Sequence, residues 1–255
     1  FDFENERLAC VAKLGIDGQG DTLNLLLYRL LKVNSITDAS GRKVDFTQNV
    51  VSFEDFEKLQ VNHIKIPVRE FAQTKSTLTI NYEGTIVGYT ETGMNYVKDH
   101  ISSEFTIIRM DAFAYPVQGT PSVQELRRLG MQIFDYVISA TVPDSLKVVT
   151  LGKLVETEQK TGTVKYKYQS IVPSWRIDLA IGKYCTLSFD NFRIHYFKED
   201  SLGAQRVNSA IQQTKLLYDS WFGQKKLKDF TIIEVLEGYG SQTDACGIIQ
   251  TSTAF

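Results

Sequence analysis

A two-residue hydrophobic period runs through the first 190 residues or so, and no other feature restricts the possible folds as strongly. Successive side chains of an extended strand point to opposite faces, so a strand buried on one side alternates apolar with polar residues. Leu8, Cys10, Ala12 and Leu14 share one face, and so do Leu23, Leu25 and Leu27 beyond the turn-forming sequence Asp17-Gly18-Gln19-Gly20. These two runs predict a hairpin. Phe134, Tyr136, Ile138 and Ala140 repeat the alternation, as do Val164, Tyr166 and Tyr168 against Lys165, Lys167 and Gln169. Sheets wetted on one face are antiparallel as a rule. Further strands are expected over 50–53, 61–66, 76–83, 103–109, 147–151, 176–181 and 185–189, separated by Gly, Pro, Asn and Asp. Residues 89–101 carry no clean period and follow Gly88, which predicts a long surface loop.

The pattern changes near residue 192. Residues 193–197 read as a strand, and 201–222 as a helix, because Val207, Ala210, Ile211, Thr214, Leu217, Tyr218 and Trp221 recur at three and four. Asp200 or Ser201 supplies the N-cap and Gly223 the stop. With an apolar run over 230–235 this makes a strand-helix-strand unit, whose crossover is right-handed if the strands pair in parallel. The expected fold is mainly β: a large antiparallel, saddle- or sandwich-like sheet over 1–191, then a small strand-helix-strand beginning of a second domain over 192–255. Residues 247–255 are β-prone and apolar and reach Phe255 without a turn, a polar tail or an evident partner strand. Such an edge invites pairing, and the natural chain is expected to continue past Phe255.

Composition narrows the function classes. A hydrophobic fraction of 43% beside 23% charged residues suits a chain that buries a core. Lys and Arg number 28 against 30 Asp and Glu, without long runs of either sign, so no nucleic-acid partner is expected. No apolar run approaches the ~20 residues of a membrane span. Cys10, Cys185 and Cys246 are too few and too scattered for a disulfide framework. A chain starting at Phe1 reads as a processed or excised product.

Several motifs fall in order. Tyr82-Glu83-Gly84 and Gly88-Tyr89 precede Tyr115-Pro116-Val117-Gln118-Gly119-Thr120-Pro121-Ser122. Val172-Pro173-Ser174-Trp175-Arg176-Ile177-Asp178-Leu179-Ala180-Ile181-Gly182 follows, then Trp221-Phe222-Gly223 and Glu237-Gly238-Tyr239-Gly240. Taken singly, the prolines are turn residues. Trp175, Ile177, Leu179 and Ile181 read as sheet core, with Arg176 and Asp178 alternating outward and no site between them. As an ordered set covering residues 8–247, the motifs resemble the N-terminal region of aminopeptidase N-type zinc metallopeptidases, the group that includes leukotriene hydrolase.

That resemblance implies a β domain beside a substrate cleft, and it aligns 238–246 with the family's Gly-x-Met-Glu-Asn segment, which lies along the substrate and supplies a carboxylate for its free amino group. Gln242 then stands at the Met, Thr243 at the Glu and Asp244 at the Asn. A neutral Thr cannot pair with an ammonium, and charge-assisted contacts are about twice as strong as neutral ones. Asp244 could substitute if the loop shifts by one residue. A glycine-permitted turn with no ligand is the alternative.

The residues expected to bind substrate are Gln118, Tyr239, Gly240, Ser241, Gln242, Thr243 and Asp244, with no catalytic residue among them. Zinc chemistry of this kind needs H-E-x-x-H on a helix, so that two imidazoles reach one metal. His63, His100 and His195 are never within four residues of each other, so zinc is expected only if a longer parent chain carries the motif. Nor does Gly-x-Ser-x-Gly occur. The expected function is substrate positioning for a parent metallopeptidase, with peptide and the rest of the catalytic domain as partners and no activity in this chain alone. The alternative is a non-enzymatic β-sheet binding module derived from the same fold.

Overall fold

The computed structural model describes residues 1–16, 20–68, 76–128, 132–223 and 229–255. In chain order its strands are β1 (Leu8–Ile16), β2 (Thr22–Tyr28), β3 (Leu31–Thr37), β4 (Thr47–Phe53), β5 (Phe56–Pro67), β6 (Ser76–Gly84), β7 (Phe105–Arg109), β8 (Val117–Gln118), β9 (Val137–Pro143), β10 (Lys147–Thr150), β11 (Lys153–Lys160), β12 (Thr163–Gln169), β13 (Asp178–Gly182), β14 (Tyr184–Phe189), β15 (Phe192–Phe197), β16 (Phe230–Val235), β17 (Gln242–Asp244) and β18 (Gly247–Thr251). The helices are α1 (Val123–Arg128) and α2 (Ser201–Phe222). The mainly β expectation holds, but the strands make several sheets rather than one. No helix among the described residues is long and apolar enough to cross a membrane. Contacts divide the chain into Phe1–Ser102 with Ile108–Gln132, and Ser103–Ile107 with Ile133–Phe255.

The first unit holds the sheets β1-β6-β3 and β4-β5-β2-β8. Strand β1 alternates in burial as its sequence requires, yet it pairs antiparallel with β6, from Leu8↔Gly84 to Ile16↔Ser76. Strand β2 pairs with β5 and β8 instead. The hairpin expectation is therefore corrected, and residues 17–19 of its turn lie outside the described residues. Alternation fixes which face of a strand is buried and leaves its partner open.

A second correction concerns 89–101, a loop that is anchored in the interior rather than lying only on the surface. Tyr89, Thr92, Val97, Asp99 and Ile101 are all buried. The Arg109 and Asp99 side chains are both 0% exposed and paired, with Nε 2.9 Å from Oδ1 and Nη2 2.8 Å from Oδ2. Arg109 also donates to the Tyr96 carbonyl at 2.7 Å. The Tyr28 hydroxyl donates to the Gly88 carbonyl at 2.8 Å, and that of Tyr89 to the Gln60 carbonyl at 2.6 Å. Polar anchors and aromatic rings bury this segment, and neither leaves a period in the sequence.

The second unit holds the sheets β10-β13-β7, β11-β12-β9 and β14-β15-β16-β18-β17. Its core gathers Phe105, Ile107, Val149, Leu151, Tyr184 and Ile233, with Tyr239 and Ile249 of the C-terminal stretch. As expected, β15 and β16 flank α2 in sequence; they pair in parallel, from Phe192↔Phe230 to His195↔Ile233. The boundary read at 191 and 192 falls inside this unit, where β14 and β15 pair antiparallel. Only the first half of α2 is packed: Ala204 is buried, and Val207 and Ile211 lie against Ile194 and Ile232. Tyr218, Trp221 and Phe222 continue the stripe but are exposed, Trp221 by 63% and Phe222 by 67%. Asp200 precedes the helix without a side-chain capping bond. Strand β18 has partners on both sides, β16 in parallel and β17 antiparallel, which corrects the bare edge expected for 247–255.

Candidate functional site: a pinned strap at the sheet edge

Strand β16 leads into the segment 236–241, which turns back as β17, the outermost strand of its sheet. Two glycines make the turn possible. Gly238 has φ +84° and Gly240 φ +74°, a region that side chains with a Cβ disfavour. Between them Tyr239 is buried, its ring edge-on to Phe105 at 5.0 Å. Strand β17 then pairs with β18 through Gln242↔Ile249, Thr243↔Ile248 and Asp244↔Gly247. Gly247 allows β18 to approach β16 closely, since a Cβ there would sit 2.2 Å from the Thr231 carbonyl oxygen.

The strap is fastened from below by residues that the sequence reading placed outside. The Arg176 and Asp178 side chains are 3% and 1% exposed, which corrects the outward alternation expected of them. The guanidinium grips the carboxylate with two bonds, Nε to Oδ2 at 2.5 Å and Nη2 to Oδ1 at 2.6 Å. Trp175 lies against it, 4.8 Å from ring centroid to Cζ. Burying charge costs much less when the pair is bidentate. Arg176 Nη2 also donates to Gln242 Oε1. Ser174 Oγ lies 2.6 Å from Asp244 Oδ2 and 2.7 Å from the Arg176 carbonyl oxygen, so its one proton serves two acceptors. The other carboxylate oxygen of Asp244 accepts the Ala245 N–H at 2.7 Å. Burial pushes the Tyr136 hydroxyl well above its ordinary range, and the charges of Asp244 and Asp178 add to the effect.

Two of the expected site residues, Gln242 and Asp244, thus face inward onto the anchor. Tyr239 belongs to the core. Ser241 Oγ accepts from Gln250 Nε2 at 2.9 Å, and Thr243 is exposed. Gln118 lies in the other unit, on β8 opposite Leu25, and is exposed. Cavities of 390 Å³ beside Asp55 and Val123 and of 590 Å³ beside Asp21 and Pro67 include none of these seven residues. Sequence reasoning missed Ser174, Arg176 and Asp178. The available signal was Arg-x-Asp in an extended run, where residues two apart share a face.

Among the described residues no three His, Cys, Asp or Glu side chains come together as a metal site. His63 lies 2.9 Å from Asn24 Oδ1, His195 lies 3.0 Å from Thr186 Oγ1, and His100 bonds its neighbouring Lys98 carbonyl. These residues do not fit a zinc ion.

No family model matches this sequence, and no curated protein matches it. Solved structures do. Native yeast LTA4 hydrolase aligns with 98% of this chain at a TM-score of 0.67 and 14% identity, and the chain spans 39% of that enzyme. An M1 zinc metallopeptidase from Deinococcus radiodurans aligns with 98% at a TM-score of 0.68 and 12% identity, with 57% of its length spanned. A mutant of the same enzyme with a Tyr-Ser-Ala substrate bound aligns at 0.61. At such identities it is the path of the backbone that is shared, and the described residues follow, nearly from end to end, the fold of part of the M1 zinc metallopeptidases and LTA4 hydrolase.

Proposed function

We propose that this chain is the substrate-positioning portion of an aminopeptidase-like zinc metallopeptidase and has no catalytic activity alone. The strap over Tyr239–Asp244, held on the Arg176–Asp178 pair at a sheet edge, is the observation that carries this reading. An edge strand offers unpaired main-chain groups to an extended peptide, and a pinned one offers them at low entropic cost. The binding groups of this proposal are the main chain of Tyr239, Gly240, Ser241, Gln242, Thr243 and Asp244 and the exposed side chains of Ser241 and Thr243, while the Tyr239, Gln242 and Asp244 side chains hold the strap in place. Residues 1–191 are its N-terminal β domain, and 192–255 begin a peptidase-like domain whose remainder packs on Tyr218, Trp221 and Phe222. Zinc belongs to that remainder, if it carries H-E-x-x-H. The tying-down of both Asp244 oxygens, beside a neutral Thr243, gives some support to the rival reading of a binding module without chemistry.

Titration of the isotopically labelled chain with Tyr-Ser-Ala and its N-acetylated form tests the reading by amide chemical shifts. Shifts are expected along 239–244. With no spare carboxylate on the strap, acetylation should change affinity by less than about threefold, well under the tenfold that 1.4 kcal/mol of ion pairing would give. An absence of shifts on the strap with both peptides sinks the proposal, and hydrolysis of amino-terminal amides by the zinc-supplied chain overturns its inactivity.

A further inference from the structure

Glu234 is the fifth of the six residues of β16 and its side chain points into protein, 0% exposed. One oxygen is satisfied, Oε2 accepting the Phe197 N–H at 2.7 Å where β15 ends. The other, Oε1, has no donor. The carboxyl that bears most strongly on it is Asp200, in the short 3-10 turn Lys198–Asp200 that directly follows Phe197 and links β15 to α2. Asp200 is not spent on capping the helix. Two carboxylates offer each other acceptors only, so a bond between them needs a cation. Among the described residues no third ligand completes a metal site, and a proton needs only these two oxygens.

We propose that Glu234 and Asp200 share a proton that latches the β15-to-α2 junction onto β16, and that the latch opens as the proton is lost. The surroundings favour holding it. Burial first, then the Asp200 carboxyl and the charge of Glu199, push the Glu234 carboxyl up to about 8. From β14 the Tyr184 hydroxyl donates to the Glu234 carbonyl at 2.7 Å and so leaves the carboxyl alone. The register neighbour on β18 is the uncharged Gln250, and the first helical residues, Ser201 to Ala204, bring no charge. Loss of the proton leaves a buried negative charge beside Asp200 and Glu199, which favours opening the turn to water.

Hydrogen exchange of the Phe197 amide, corrected for its intrinsic base catalysis, reads the latch in the intact chain. Protection should fall about tenfold or more between pH 6.5 and 9, the equivalent of one pKa unit of linkage. In Glu234→Gln, which keeps an acceptor for Phe197 and can donate to Asp200, protection should stay flat. Asp200→Asn should move the fall to lower pH. Carboxyl carbon shifts of Glu234 in the unaltered chain decide the matter even if a variant fails to fold: a midpoint in the ordinary carboxylate range overturns the proposal. So do parallel pH profiles in the unaltered chain and Glu234→Gln. Protection restored at pH 9 by calcium or magnesium also overturns it, by making the site one for a metal ion.

Discussion

At the scale of single residues, the stakes are highest at Arg176 and Asp178. Each is held in the interior chiefly by its bidentate bond to the other, so their substitutions should be strongly non-additive. Arg176→Met strands the Asp178 carboxylate and should cost about 3–5 kcal/mol in urea unfolding, whereas Arg176→Met with Asp178→Leu should recover most of that loss. A single variant losing less than about 1 kcal/mol contradicts the tight burial described for the pair. The same residues mark how far the site was legible. Tyr239 to Asp244 stand out in the sequence through glycine spacing and resemblance. Their anchors do not, because the alternation of Trp175, Ile177 and Leu179 with Arg176 and Asp178 points the charged pair outward, whereas 178–182 is buried on both faces and the pair lies inside.

At the scale of elements, most strands announced themselves and their partners did not. Strand β3 escaped because its register slips between Val33 and Ser35, which breaks the period. Strand β11 escaped because seven of its eight residues are exposed, leaving no apolar face to alternate. The six residues of α1 are too few to display a helical period. The segment 89–101 depends on one backbone position more than on its side chains. Gly88 has φ +74°, and a Cβ there would lie 2.3 Å from the Val97 carbonyl oxygen. Gly88→Ala should therefore destabilise the chain by about 2 kcal/mol or more, combining strain with overpacking. A change below about 0.5 kcal/mol in the unfolding midpoint means that this backbone is not held as described.

At the scale of the whole molecule, two buried groups shape stability against pH in opposite directions. Burial, and then the charges of Arg193 and Lys147, pull the His195 imidazole down from 6.5 to about 4. Its contribution is present above pH 6.5 and is lost as pH falls toward 4. Glu234 runs the other way, from 4.5 up to about 8, so its contribution is present below 4.5 and is lost as pH rises toward 8. Between 4.5 and 6.5 the two slopes cancel. Urea midpoints should accordingly be level there and fall from 6.5 to 8, by up to about 2 kcal/mol at 1.36 kcal/mol per unit. In His195→Gln the level stretch should vanish, with stability falling all the way from 4.5 to 8. A profile unchanged by that substitution contradicts the assignment.

Strand β7 adds a constraint of a different kind. Its opening residues, Phe105 to Ile107, are counted with Ile133–Phe255, while Ile108 and Arg109 are counted with the other unit. No single scission can release either half whole. Cleavage after residue 132 strips β13 of a neighbour that the downstream piece does not encode, so whoever expresses that piece alone inherits an unguarded ribbon of backbone, the kind of surface on which proteins clump.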